Sequence, residues 1–95
     1  MEIKVLDHVR QTSTYSDGQV IHDLLLPLLK QGQDVSLSFA GVNALPSAFV
    51  NSALVQLVQH LPITDIKEHL QIHDSTRQIN QLIKERFAFV EEKMH

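Results

Sequence analysis

Apolar and polar residues alternate at the start of the chain. Ile3 and Val5 fall on one side and Glu2 and Lys4 on the other, which is the period of a half-buried strand and predicts one over Met1–His8. Thr12–Gly18 (TSTYSDG) is a turn-forming cluster in which Ser16 or Asp17 is placed to cap a following helix. That helix is predicted over Gly18–Gln31, because Val20, Ile21, Leu24, Leu25, Leu28 and Leu29 recur at helical spacing. Gly32 then serves as a left-handed stop. Pro27, inside this segment, predicts a kink or an early end, since it removes a backbone donor. Val35, Leu37 and Phe39 alternate with Ser36 and Ser38 to predict a second strand, followed by a loop over Gly41–Pro46.

The period changes to 3.6 after Pro46. Phe49, Val50, Ala53, Leu54, Leu57, Val58 and Leu61 form one stripe of a helix that Pro62 ends. A short helical turn over Thr64–His69 and a third strand at Leu70–His73 come next. Ser75 and Gln78, at capping-box spacing, then open a last helix with Ile79, Leu82, Ile83 and Val90 on its inner face. The order is β-α-β-α-β-α in one domain spanning 1–95, which implies a mostly parallel sheet joined by right-handed crossovers. All three strands alternate, whereas a sheet covered on both sides reads as continuous apolar runs, so the helices are expected mainly on one face. Ile3, Val5, Val35, Leu37, Phe39, Leu70 and Ile72 should meet Leu24, Leu28, Ala53, Leu57, Ile79 and Ile83, leaving Glu2, Lys4, His8, Ser36, Ser38, Gln71 and His73 on the open side.

Composition narrows the function classes. Of 95 residues, 43% are hydrophobic and 20% charged, which describes a chain that folds rather than one that stays disordered. Eight Lys and Arg against eleven Asp and Glu give a net charge of -3, which argues against nucleic acid as the partner. The absence of cysteine excludes disulfides, thiolate metal sites and a Cys nucleophile, and suits a reducing cytoplasm. The N-terminus lacks a basic segment leading into an apolar run, and Leu24–Leu29 is too short to span a bilayer, so no membrane role is expected.

Catalytic signatures are missing as well. The six histidines, His8, His22, His60, His69, His73 and His95, show no metal-binding motif. His69 and His73, if both on an extended strand, would stand about 13 Å apart, so solvated surface histidines and no metal or cofactor are expected. No G-x-S-x-G turn or glycine-rich phosphate loop occurs, and Glu91-Glu92 sits on an exposed helix end, so the chain is not expected to be an enzyme.

One segment stands out, VSLSFAGVNALPSAFVNSALVQL over 35–57, in which a strand delivers Ser47 to the first turn of a helix. Ser47 is there as a phospho-acceptor or as a plain helix cap. Asn51 stands one turn later on the same side, and Asn43 lies in the intervening loop. This strand-loop-helix segment resembles the core of the STAS superfamily, to which anti-sigma factor antagonists and the cytoplasmic domains of sulphate transporters belong. It is more similar still to small bacterial STAS-like domains of unknown function, through Phe39-Ala40-Gly41-Val42, Ser47-Ala48-Phe49-Val50-Asn51 and Tyr15-Ser16-Asp17-Gly18.

The resemblance implies a non-catalytic, cytoplasmic signalling module that binds a partner protein around Ser47. Asn43, Asn51, Asp17 and Gly18 would be further partner-binding residues. In the antagonists the matching serine is phosphorylated by a histidine-kinase-like ATPase that also holds the sigma factor. The antagonists carry Asp before that serine and a small hydroxyl residue and Gly after it, where this chain has Pro46, Ala48 and Phe49. Other classes fit the same residues. The chain could be a stand-alone inhibitor or accessory protein of a mobile element such as a phage or plasmid, docking through its open sheet face, or a small-ligand or nucleotide binder at the carboxyl ends of its strands. Open sheet edges and a weakly charged open face predict a homodimer or a partner complex.

Overall fold

The computed structural model describes residues 1–93. Three parallel strands, β1 (Glu2–Lys4), β2 (Val35–Ser38) and β3 (Leu70–His73), lie in the order β1-β2-β3. The register sets Ile3, Leu37 and Ile72 side by side, and Glu2, Ser36 and Gln71 beside them on the other face. Right-handed crossovers between strands in sequential order put successive connections on the same side of the sheet. Burial agrees: Ile3, Val35 and Leu37 are buried, while Glu2, Lys4, Gln71 and His73 are exposed on the opposite face. The chain is an α/β domain with its helices on one face of a parallel sheet.

The first strand is shorter than its alternation suggests. From Val5 the backbone tightens into a 3-10 turn over Val5–Asp7, yet Val5 stays fully buried. Helix α1 runs over Tyr15–Lys30 and is capped by neither Ser16 nor Asp17 but by Thr14. The Thr14 hydroxyl accepts from the Asp17 N–H at 3.1 Å, while the Asp17 carboxylate accepts from the Thr14 N–H at 3.1 Å. Pro27 does not end the helix, and Gly32 follows it at φ +76° as expected.

The buried side of α1 is Gly18, Ile21, His22, Leu25 and Leu29, whereas Leu24 and Leu28 are only partly covered. Gly18 sets this face. A Cβ there would stand 1.9 Å from the Ser52 Oγ and 2.6 Å from the Phe49 carbonyl oxygen, so only glycine lets α1 lie this close to the next helix.

That next helix, α2 (Ser47–Ala53), covers only the first half of its predicted range. The backbone turns at Leu54 and continues as a 3-10 segment over Val55–Gln59, with Leu57 still fully buried. Helix α3 (Ile63–His69) leads directly into β3, and α4 (Arg77–Lys93) closes the domain. Ile79, Ile83 and Phe87 form the buried stripe of α4, with Leu82 and Val90 half-buried. The order is thus β-α-β-α-α-β-α. The hydroxyl that caps α4 is that of Thr76, accepting from the Ile79 N–H at 3.3 Å. Ser75 instead donates to Asn80, and Gln78 is engaged elsewhere.

Candidate functional site

The segment from Phe39 to Asn51 lies at the carboxyl ends of β2 and β3, where two side chains of the β3–α4 turn and one from the first turn of α4 tie it down. The Ser38 hydroxyl donates to Asp74 Oδ2 at 2.7 Å and accepts from the Ala40 N–H at 3.3 Å. Parity places Ser38 on the open face of the sheet, but this bond to Asp74, a residue with φ of 55°, leaves Ser38 only 3% exposed. Farther along, the Thr76 hydroxyl donates to the Asn43 carbonyl at 3.0 Å. Gln78 grips Leu45 twice, its Oε1 accepting from the Leu45 N–H at 3.1 Å and its amide donating to the Leu45 carbonyl at 3.2 Å. Val42 and Leu45 point into the core, so apolar anchors and polar bonds hold one loop conformation between them.

This frame presents Asn43 and Ser47 to solvent. Ser47 does not cap α2: the cap position belongs to Pro46, whose extended backbone (φ -79°, ψ 157°) starts the helix without a side-chain bond. Ser47 is the first helical residue, and its hydroxyl has no hydrogen-bond partner among the described residues. Asn51 is half-buried and opens onto a groove formed with Tyr15, Val55, Gln56, Arg86, Phe89 and Val90. Ser47 does not line that groove, so one turn of helix separates the two side chains into different surroundings. Sequence reasoning missed Tyr15 and Phe89, both 47% exposed, and Arg86, whose guanidinium lies 5.3 Å from the centre of the Phe89 ring. Their spacing from Asn51 is visible only once α1, α2 and α4 are packed together.

Asp17 and Gly18 carry structural roles. Asp17 Oδ2 accepts from the backbone N–H groups of Ser13 and Thr14, and Gly18 is buried against α2.

The histidines are more varied than solvated surface groups. His22 is only 6% exposed, and its ring packs 5.9 Å from that of His60. Its Nδ1 is 3.2 Å from Asp23 Oδ1. This bond is the main reason that the Asp23 carboxyl titrates below its usual range, with a second bond from Gln19 adding to it. The buried Nε2 of the His22 ring has no hydrogen-bond partner among the described residues. His69 ends α3 rather than lying on the strand with His73, and its Nδ1 donates to Asp34 Oδ1 at 2.8 Å, which raises its pKa above the ordinary imidazole value. His95 lies outside the described residues. No three His, Asp or Glu side chains among the described residues are grouped so as to hold a metal ion, and no helix among them is long and apolar enough to cross a membrane.

The family model described as a STAS-like domain of unknown function (DUF4325) matches residues 17–80. The chain belongs to this family. The match runs from the first turn of α1 through the Ser47 segment to the start of α4, so it includes both the loop and the residues that fasten it. No curated protein and no solved structure matches the chain.

Proposed function

We propose that this STAS-like domain is a non-catalytic interaction module that binds a partner protein through the loop and helix start around Asn43 and Ser47. The observation that carries this reading is the exposed Ser47 hydroxyl, which has no structural employment, on a loop fixed by Ser38–Asp74, Asn43–Thr76 and Leu45–Gln78 bonds. A surface held in one conformation loses little freedom on binding, and conserves interaction free energy for recognition. The partner is a regulator of the histidine-kinase-like ATPase kind that the STAS resemblance implies, and phosphorylation of Ser47 would add close to two negative charges in the contact.

Capture of partners from lysate by wild-type, Ser47→Ala and Ser47→Asp proteins tests the reading. A protein held by wild type and Ser47→Ala but released by Ser47→Asp is the expected result, while identical capture by all three rejects it. Because Ser47 makes no capping bond, Ser47→Ala should leave stability within about 0.5 kcal/mol of wild type. Both variants are therefore usable as folded reagents.

A further inference from the structure

A second surface, separate from the Ser47 loop, lies between α3, β3 and α4. Here the helices diverge and leave a groove of about 270 Å³. Ile66 of α3, Leu70 and Ile72 of β3, and Ile83 and Phe87 of α4 make its apolar floor. Leu70 and Ile72, on the helix-covered face of the sheet, remain half-exposed, and no side chain among the described residues fills this space.

The rim is charged and unbalanced. Lys67 is paired with Glu91 across one end, which uses the only carboxylate among the described residues that line the groove. Lys84, exposed at the other end, makes no ion pair among the described residues. Beyond Lys84 a shallow hollow on the same helix is bordered by Arg77, a second cationic side chain at this end. Lys84 and Glu91 lie seven residues apart on α4, which at 1.5 Å per residue makes the groove about 10 Å long.

We propose that this groove binds a medium-chain carboxylate, with an apolar chain of about eight to ten carbons on the Ile66–Ile72–Phe87 floor and its anionic head on Lys84. The floor supplies burial of the chain and the uncommitted ammonium selects the head by sign. Neutral or cationic amphiphiles of the same length gain only the first.

The test is titration of the full ¹⁵N-labelled chain with decanoate below its micellar concentration, and in parallel with decyltrimethylammonium. Saturable shifts at the amides of Ile66, Leu70, Ile72, Ile83 and Phe87 are expected with decanoate, at an affinity about tenfold or more above that of the cation. Lys84→Glu should weaken decanoate about tenfold or more, and Ala88→Phe, which adds a ring at an exposed position lining the groove, should abolish the shifts. Equal binding of the two amphiphiles, no saturation, shifts elsewhere, or an unaffected Lys84→Glu variant would overturn the proposal. So would sedimentation showing a dimer whose interface covers these amides and excludes decanoate.

Discussion

Gly18→Ala is the most informative single change in this fold, because two effects of known size oppose one another. In an exposed helix interior, replacing Gly by Ala stabilises by about 1 kcal/mol through helix propensity. Gly18 is buried, however, and the new methyl would meet the Ser52 Oγ at 1.9 Å, the Phe49 carbonyl oxygen at 2.6 Å and the Ala53 nitrogen at 3.1 Å. The hydroxyl could rotate away. The carbonyl belongs to the backbone of α2, so the two helices must separate, and overpacking of this kind costs about 1–3 kcal/mol or more. Two sub-contact distances, one of them to backbone, place the cost at the upper end, so a net loss of about 2 kcal/mol is expected. For a domain of this length that lowers the melting temperature by about 10 °C. Urea unfolding at equilibrium reads it directly. Adding Ser52→Ala to Gly18→Ala should recover only part of the loss, because the Phe49 carbonyl remains in the way. A Gly18→Ala protein as stable as wild type, or more so, would refute the close approach of α1 and α2.

Leu37, fully buried at the centre of the sheet, should lose roughly 2–5 kcal/mol of stability on replacement by Ala, measured by denaturant unfolding. Gln78→Ala removes both bonds to Leu45, and should raise amide exchange over residues 42–47 while leaving the β-sheet amides protected. His69 has a raised pKa in the folded protein, so its pair with Asp34 stabilises fully below the unfolded imidazole pKa and this contribution is lost as pH rises through the raised value. An NMR titration should show His69 returning to the ordinary imidazole range in Asp34→Asn, and an unchanged midpoint would contradict the pairing.

The parts of the fold that were legible in sequence are those in which one period fits only one geometry. Val35-Ser36-Leu37-Ser38 and Leu70-Gln71-Ile72-His73 alternate and are strands with the apolar side toward the helices. Where a pattern suits two geometries it misleads. Ile3 and Val5 share parity whether Val5 continues a strand or enters a 3-10 turn, and Leu57 remains inside whether the chain after Leu54 is α or 3-10. On α1 the leucines are so dense that Leu24 and Leu28 look as suitable for the core as Ile21, Leu25 and Leu29. The choice is made by Gly18, whose reason lies in α2. Ser38 was legible in direction but not in burial, since Asp74 comes 36 residues later. At the candidate site the exposure of Asn43 and Ser47 fits the sequence pattern, whereas the idle hydroxyl of Ser47 and the anchoring of its loop depend on Pro46 taking the cap position and on contacts from Asp74, Thr76 and Gln78.

Hydrogen–deuterium exchange on the complex with a captured partner tests the central claim most directly. Amides from Asn43 to Asn51 should gain protection on binding in wild type, and the same segment should stay at its free-state rates when Ser47→Asp is mixed with the partner. Protection confined to the open sheet face around Ser36 and Gln71, or to α4, with residues 43–51 unchanged, would contradict it.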